Sequence, residues 1–260
     1  MEDFDDVAPT IDSLYYDAKY LNYCNNAEKS CLSFIHFNIR SIKKNADKLQ
    51  LCLQSLNTEF SVIGLTETWL SDNDSLLGIH NIPGYTYIGN GRTGRSGGGV
   101  GVFIKDNLKY CIRKDMKLFN ENVETIFLEI VSKRDKIVIG IIYRPPGRPV
   151  RDFVNDLEPI LFKISTEKKL GFLMGDFNIN MLKNSTDNSS TEFQQAMNSY
   201  SFFHLINKPT RITNQSSSLI DNIFVNNFNN VVMPGIFICD VSDHLPVFAF
   251  SKLKSNETPK

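Results

Sequence analysis

Six short stretches of the 260-residue chain set a polar or ionisable residue where an apolar run stops or is interrupted. "FIHFNIRS" turns polar at Asn38, "VIGLTETW" at Glu67, and "GIIYRPP" at Tyr143 and Arg144. "GFLMGDFNIN" brings Asp176 and Asn178, "SLIDNIF" carries Asp221, and "ICDVSDHLPVFAF" is broken by Ser242, Asp243 and His244. Each has a plain reading by itself. Asn and Asp after a strand are common turn residues, a Tyr in an apolar run is ordinary core, and a lone His is more often packed than reactive. Asp221 is harder to set aside, because a carboxylate between Ile220 and Ile223 needs a partner if it is buried. As a set, these acids, amides, one imidazole and one phenol suit phosphoryl chemistry. Hard oxygen ligands without a Cys or His cluster favour Mg²⁺ held by one or two carboxylates and a substrate phosphate. The metal polarises a phosphoryl oxygen, a carboxylate positions the attacking water, and His and Tyr donate to the charged phosphorane.

Such a set needs strands to carry it to one place. "CLSFIHFNI", "FSVIGLTET", "GVGVFI", "TIFLEIV", "KIVIGIIY", "LGFLMGDF", "SLIDNIFV" and "GIFICDV" are rich in Ile, Val and Phe, as strands are. Helical patterning is sparser. "KNADKLQLCLQSL" sets Leu49, Leu53 and Leu56 on one face, and "VRDFVNDLEPILFKIS" is amphipathic with a kink expected at Pro159. "STEFQQAMNSYSF" opens on a Ser/Thr cap followed by Glu, and "NSTDNSST" before it reads as an exposed loop. Many strands with few helices predict a single α/β sandwich domain. "GRTGRSGGGVGVFI" lacks the GxxxxGK[ST] pattern, and a strand follows its glycines where a phosphate-binding loop needs a helix. A hairpin or surface loop is the better reading.

The composition, 42% hydrophobic and 22% charged, is that of a globular protein. No apolar run approaches the roughly 20 residues that span a bilayer. The start, "MEDFDDVAPT", lacks the basic and apolar regions of a signal peptide. Five scattered cysteines with no CxxC pair read as reduced packing residues of an intracellular protein. Residues 1–30 hold seven acidic and two basic residues, net −5, and read as an acidic N-terminal extension. The remaining residues carry 26 basic and 22 acidic, net +4, which permits a polyanionic substrate without requiring one. The catalytic domain is assigned to 31–252 and a C-terminal tail to 253–260.

The ordered motifs "NIRS", "TETW", "YRPP", "GDFNIN", "LIDNIFVNN" and "SDHLPV" resemble the endonuclease/exonuclease/phosphatase superfamily. Within it they are most similar to the apurinic-endonuclease-type endonuclease domains of non-LTR (LINE-like) retrotransposons. The resemblance runs from Leu32 to Phe250 and implies a four-layer α/β sandwich, two packed mixed β-sheets flanked by helices. It implies Mg²⁺, with Mn²⁺ as a substitute, held by Glu67 with Asn38 and Asp243 close by. Asp176 would orient or deprotonate the attacking water, Asn178 would hold that water or the phosphate, and Tyr143 would contact the phosphate. His244 would donate to the scissile phosphate, oriented by Asp221, with Ser242 supporting the geometry or touching the phosphate. Thr210 in "KPTRIT", or else Thr213, would meet the DNA backbone, and "TNQSSS" would form a hairpin that probes DNA shape.

The activity so implied is nicking of DNA by phosphodiester hydrolysis, leaving a 3′-hydroxyl, with action in the nucleus and no obligate protein partner. Arg40, Lys43, Arg144, Arg148 and Arg211 lie beside motifs where phosphates could be met, Arg144 and Arg211 foremost. The rivals are a phosphatase or phosphodiesterase acting on a small substrate with the same machinery, and a DNA-binding module that keeps the fold without catalysis.

Overall fold

The computed structural model describes residues 12–24, 31–71, 82–90, 92, 97–131, 136–183 and 187–254. The first sheet has the strand order β1 (Leu14–Tyr16), β14 (Val231–Phe237), β15 (Val247–Lys254), β2 (Cys31–Asn38), β3 (Val62–Thr66), β5 (Val100–Lys105), β4 (Tyr85–Asn90). The second runs β10 (Phe203–His204), β13 (Asp221–Val225), β9 (Leu170–Asp176), β8 (Lys136–Tyr143), β7 (Glu124–Val131), β6 (Tyr110–Ile112). A separate hairpin joins β11 (Arg211–Ile212) to β12 (Ser217–Ser218). The helices are α1 (Ala18–Cys24), α2 (Ile42–Gln54), α3 (Val150–Thr166) and α4 (Asn188–Ser199). Each of the eight apolar runs read as a strand overlaps one, "GIFICDV" only through the last three residues of β14.

Period-2 alternation builds the layers. On β2, Phe34 enters the core between the sheets, where its ring lies 4.5 Å from that of Phe172 on β9. Its neighbours Ile35 and Phe37 point the other way and pack with Ile42 and Leu49 of α2 and Leu21 of α1. The outer face of the second sheet is covered by α3 and α4, through the rings of Phe153, Phe177, Phe193 and Phe224. Two mixed sheets face to face with helices outside form the α/β sandwich that the motifs implied.

Several local readings change. Within the stretch read as an N-terminal extension, β1 adds in parallel to β14, and the Ser13 hydroxyl donates to Asn207 at 2.7 Å. The α4 cap is Asp187, whose carboxylate accepts from the Ser189 amide, so five of the eight residues of "NSTDNSST" belong to the helix and its cap. Helix α3 runs on through Pro159. The glycine-rich stretch lies between the antiparallel pair β4 and β5, in keeping with the hairpin reading; its residues 91 and 93–96 lie outside the described residues.

Strand direction then gathers the polar ends. β2 and β3 are parallel, as are β8 and β9, so Asn38, Glu67, Tyr143 and Asp176 all come at or after C-terminal strand ends. β13 and β15 run antiparallel to β9 and β2, so Asp221 and the 242–244 turn enter at the same edge.

Candidate active site

Backbone geometry at this edge is unusual. Among the described non-glycine residues, seven have positive φ, and five of them are Arg40, Ser41, Glu67, Trp69 and Asn178. Left-handed backbone costs roughly 1–2 kcal/mol per residue, so neighbouring bonds must hold it. The Ile39 and Ser41 amides donate to Thr66 and Glu67 carbonyls at 3.0 and 2.8 Å, and the Thr68 and Trp69 amides to Gly99 and Gly98 at 3.2 and 2.9 Å. Gly99 has φ +89, and a Cβ there would strike the Thr68 hydroxyl, which is why the glycine run can seat the Glu67 loop.

Asn38 joins the two sheets. Its Nδ2 donates to Glu67 Oε1 at 3.0 Å and to Asp176 Oδ2 at 2.8 Å. Asp176 is fully buried and also accepts from the Asn178 amide at 2.9 Å and Asn178 Nδ2 at 3.2 Å. Burial, then repulsion from Asp221, its cross-strand neighbour, pushes its carboxyl up to about 8.

The second constellation is Asp221 with His244. His244 Nδ1 lies 2.8 Å from Asp221 Oδ2, both groups buried. Burial alone would lower the imidazole, but the Asp221 carboxylate outweighs it and raises His244 to about 9. The same pairing, against the opposing effect of burial, holds Asp221 below the usual carboxylate range. Behind Asp221 stands His36, which sequence reading missed. Its Nδ1 is 3.9 Å from Asp221 Oδ1, its Nε2 is 3.0 Å from the Thr66 hydroxyl, and burial holds its ring near 4. Only the alternate-face position of His36 in an apolar strand could have hinted at this.

Asp243 is half-exposed and clamped by two guanidinium groups. Arg40 Nη1 lies 2.8 Å from both its oxygens, and Arg211 reaches it through Nε at 2.9 Å and Nη2 at 2.8 Å. Burial would raise its carboxyl; Arg40 first, then His244 and Arg211, bring it down to about 2. Ser242 supports this turn, donating to the Asn38 carbonyl at 2.6 Å and accepting from the His244 amide at 3.1 Å.

Two residues expected to meet substrate are engaged elsewhere. Thr210 is fully buried; its hydroxyl donates to Asp221 Oδ2 at 2.9 Å and accepts from the Asp221 amide at 3.1 Å. Arg144 is buried, with its guanidinium on the carbonyls of Phe177, Asn178 and Arg148. Desolvation lowers its pKa, and it braces the Asn178 turn. The alternative threonine, Thr213, is exposed in the β11–β12 hairpin, and Arg148 pairs with Glu121 at 2.8 Å. Tyr143 is buried, its hydroxyl held protonated by burial and by Glu67, with Arg92 5.9 Å above its ring. Arg92 pairs with Glu124, which also accepts from the Gly99 amide at 2.7 Å; neither was singled out from sequence.

Glu67, Asn38 and Asp243 fit a hard divalent cation. Their donors are oxygens, Asn38 Oδ1 is buried with no hydrogen-bond partner, and Arg40 already supplies a positive charge between Asp243 and Glu67. Asp176, Asp221 and His244 offer a second ligand-like group within 4.8 Å of one another. There, Nδ1 of His244 is bound to Asp221 and Asp176 is bound by two asparagines, so these atoms are engaged as hydrogen-bond partners.

Comparison with known proteins agrees with the sandwich fold. The Endonuclease/Exonuclease/phosphatase family profile matches residues 35–244, and the chain belongs to that family, whose members are hydrolases of phosphodiesters or phosphate esters. Among solved structures, the endonuclease domain of TRAS1, a telomere-specific non-LTR retrotransposon, is 12% identical with TM-score 0.64, over 86% of this chain and 99% of that one. The catalytic domain of Xenopus laevis APE2 is 18% identical with TM-score 0.67, over 88% and 94%. The Neisseria 3′ phosphatase NExo, bound to a product DNA hairpin, is 12% identical with TM-score 0.63, over 84% and 98%. No curated protein sequence matches the chain. Among the described residues, no helix is long and apolar enough to cross a membrane.

Proposed function

We propose that this chain is a Mg²⁺-dependent DNA endonuclease that hydrolyses one phosphodiester bond and leaves a 3′-hydroxyl. The observation that carries the reading is the meeting at one sheet edge of Asp176, the His244–Asp221 pair and the Glu67–Asn38–Asp243 oxygens. In this reading Asp176 accepts a proton from the attacking water, whose oxygen bonds to phosphorus. The P–O3′ bond breaks, and O3′ leaves with a proton taken from solvent. Asn38 and Asn178 hold Asp176 in place, and the Asn178 side chain is itself fixed by the Arg144 carbonyl at 2.8 Å. His244, charged and oriented by Asp221, donates from its other ring nitrogen to a non-bridging phosphate oxygen. Tyr143 donates a hydrogen bond from its phenolic hydroxyl to the phosphate, and Ser242 keeps the 242–244 turn in position. A divalent cation on Glu67, Asn38 and Asp243, Mg²⁺ or in its place Mn²⁺, would add Lewis-acid polarisation of the phosphoryl oxygen.

The β11–β12 hairpin, with the half-exposed Arg211 at its start, forms the surface that meets the DNA backbone. DNA as substrate places the action in the nucleus. The likeness to the TRAS1 endonuclease domain and to NExo bound to a product DNA hairpin favours DNA over a small phosphate ester.

The test is nicking of supercoiled plasmid at low salt, with Mg²⁺ or with EDTA, by wild type and Asp176→Ala. Metal-dependent open circles are expected, reduced by about 10²- to 10⁴-fold in the variant. Folded wild-type protein that releases phosphate from a 3′-phosphate end but leaves plasmid intact would move the assignment to a phosphatase.

A further inference from the structure

Arg40 stands where a cation is called for. Its Nη1 lies 2.8 Å from both Asp243 oxygens, and its Nε lies 3.9 Å from Glu67 Oε2. One guanidinium therefore faces the two carboxylates read as metal ligands. Its backbone, at φ 44, is held by the Asn45 side chain, which donates to the Arg40 carbonyl at 3.2 Å. A divalent cation needs direct, short oxygen contacts, and two cations crowded onto the same oxygens repel. The guanidinium and the metal cannot both make their best contacts with Asp243.

Resting on the metal reading above, we infer that Arg40 and the divalent cation compete for Asp243 and Glu67, so that Arg40 sets the metal concentration at which the site fills. Metal binding displaces the guanidinium from Asp243. A cleft of about 410 Å³ beside it, lined by Lys44, Lys48, Trp69 and Ser242, has room to take it. Arg211, which reaches Asp243 Oδ2 through Nε at 2.9 Å and Nη2 at 2.8 Å, remains in place as the lasting counter-charge.

The molecule carries its own reporter. Trp69 is the sole tryptophan, and its indole N–H donates to Glu67 Oε2 at 3.3 Å. EDTA-stripped wild type, Arg40→Gln and Arg40→Lys are titrated with Mg²⁺ and with Mn²⁺, following Trp69 fluorescence, with circular dichroism and the unfolding midpoint checked for each. Arg40→Gln is expected to bind metal about tenfold more tightly than wild type. Arg40→Lys, a single ammonium that cannot span both carboxylates, is expected to fall between them. Equal or weaker metal binding by folded Arg40→Gln overturns the inference. Should that variant not fold, Arg40→Lys binding no tighter than wild type overturns it instead. A wild-type response that never saturates and is unchanged by Glu67→Gln removes the metal assignment itself, and this inference with it.

Discussion

Thr210 shows how one buried hydroxyl can serve a site without touching substrate. It donates to Asp221 Oδ2, the same oxygen that faces His244, and caps the backbone where β13 begins. Thr210→Val keeps the shape and removes the hydroxyl. Stability is expected to fall by about 1–3 kcal/mol, the cost of leaving buried polar groups unmade. The nicking rate should fall with DNA affinity unchanged, as read by urea unfolding, single-turnover kinetics and a binding titration in EDTA. A large loss of affinity at full stability would return Thr210 to the DNA-contact role expected from sequence. Asp221→Asn tests the partner: without the carboxylate, His244 loses its charge support and orientation. Nicking at saturating DNA is expected to fall about 10²- to 10⁴-fold, and NMR titration should show the His244 pKa well below its present value of about 9.

At the scale of elements, two helix ends and one strand pair carry clear expectations. α3 and α4 both close with paired bonds from the residues after the cap. Lys168 and Lys169 amides donate to Ser165 and Ile164, and Ser201 and Phe202 amides to Asn198 and Met197. This pattern places Lys168 and Ser201 at the left-handed position where glycine is preferred, with φ 52 and 61. Lys168→Gly and Ser201→Gly are each expected to stabilise by about 0.5–1 kcal/mol, seen as a higher urea midpoint at unchanged m-value. Gly175 presents the opposite case. It pairs with Ile142 on β8, and a Cβ there would meet the Ile142 backbone carbonyl. Gly175→Ala must part the strands that carry Tyr143 and Asp176, and a loss of about 3 kcal/mol is expected, together with loss of nicking. Wild-type stability in that variant would show the strand pair to be more yielding than the register implies.

The whole molecule is held at the end away from the site by a charge network. Arg113 binds Asp115, Glu129 and Glu167, and Lys169 joins Glu129 and Glu167 at 2.6 Å each. The network ties the end of β6 and the strand β7 to the C-terminus of α3. Arg113 holds the Glu167 carboxyl at about 2, below its ordinary 4.5. Its folded pKa is depressed, so this stabilisation is complete above about 4.5 and is lost as pH falls towards about 2. Glu167→Gln should therefore be less stable than wild type at pH 7, and the gap should close across that acid window. Urea midpoints measured at a series of pH values would read it, and a gap constant down to pH 2 would exclude the linkage.

The sequence by itself determined a great deal here. Runs of β-branched and aromatic residues marked eight strands, because half-buried pleated surfaces select those side chains in any protein. The polar strand ends were legible for the same reason: Asp221 stands out only against the apolar residues around it. The ordered motifs marked the family, and the fold agrees. What the sequence left open depended on contacts between residues far apart in the chain. Thr210 and Arg144 look like surface groups in local context, and only tertiary packing buries them against Asp221 and the Asn178 turn. His36 alternates correctly as a strand residue, and its place behind Asp221 depends on how two sheets meet. Arg40 and Asp243 are 203 residues apart, and no local propensity speaks to their pairing. Strand identity is a local property of side-chain shape and burial, whereas the partner of a charge is decided by which edges the folded sheets bring together.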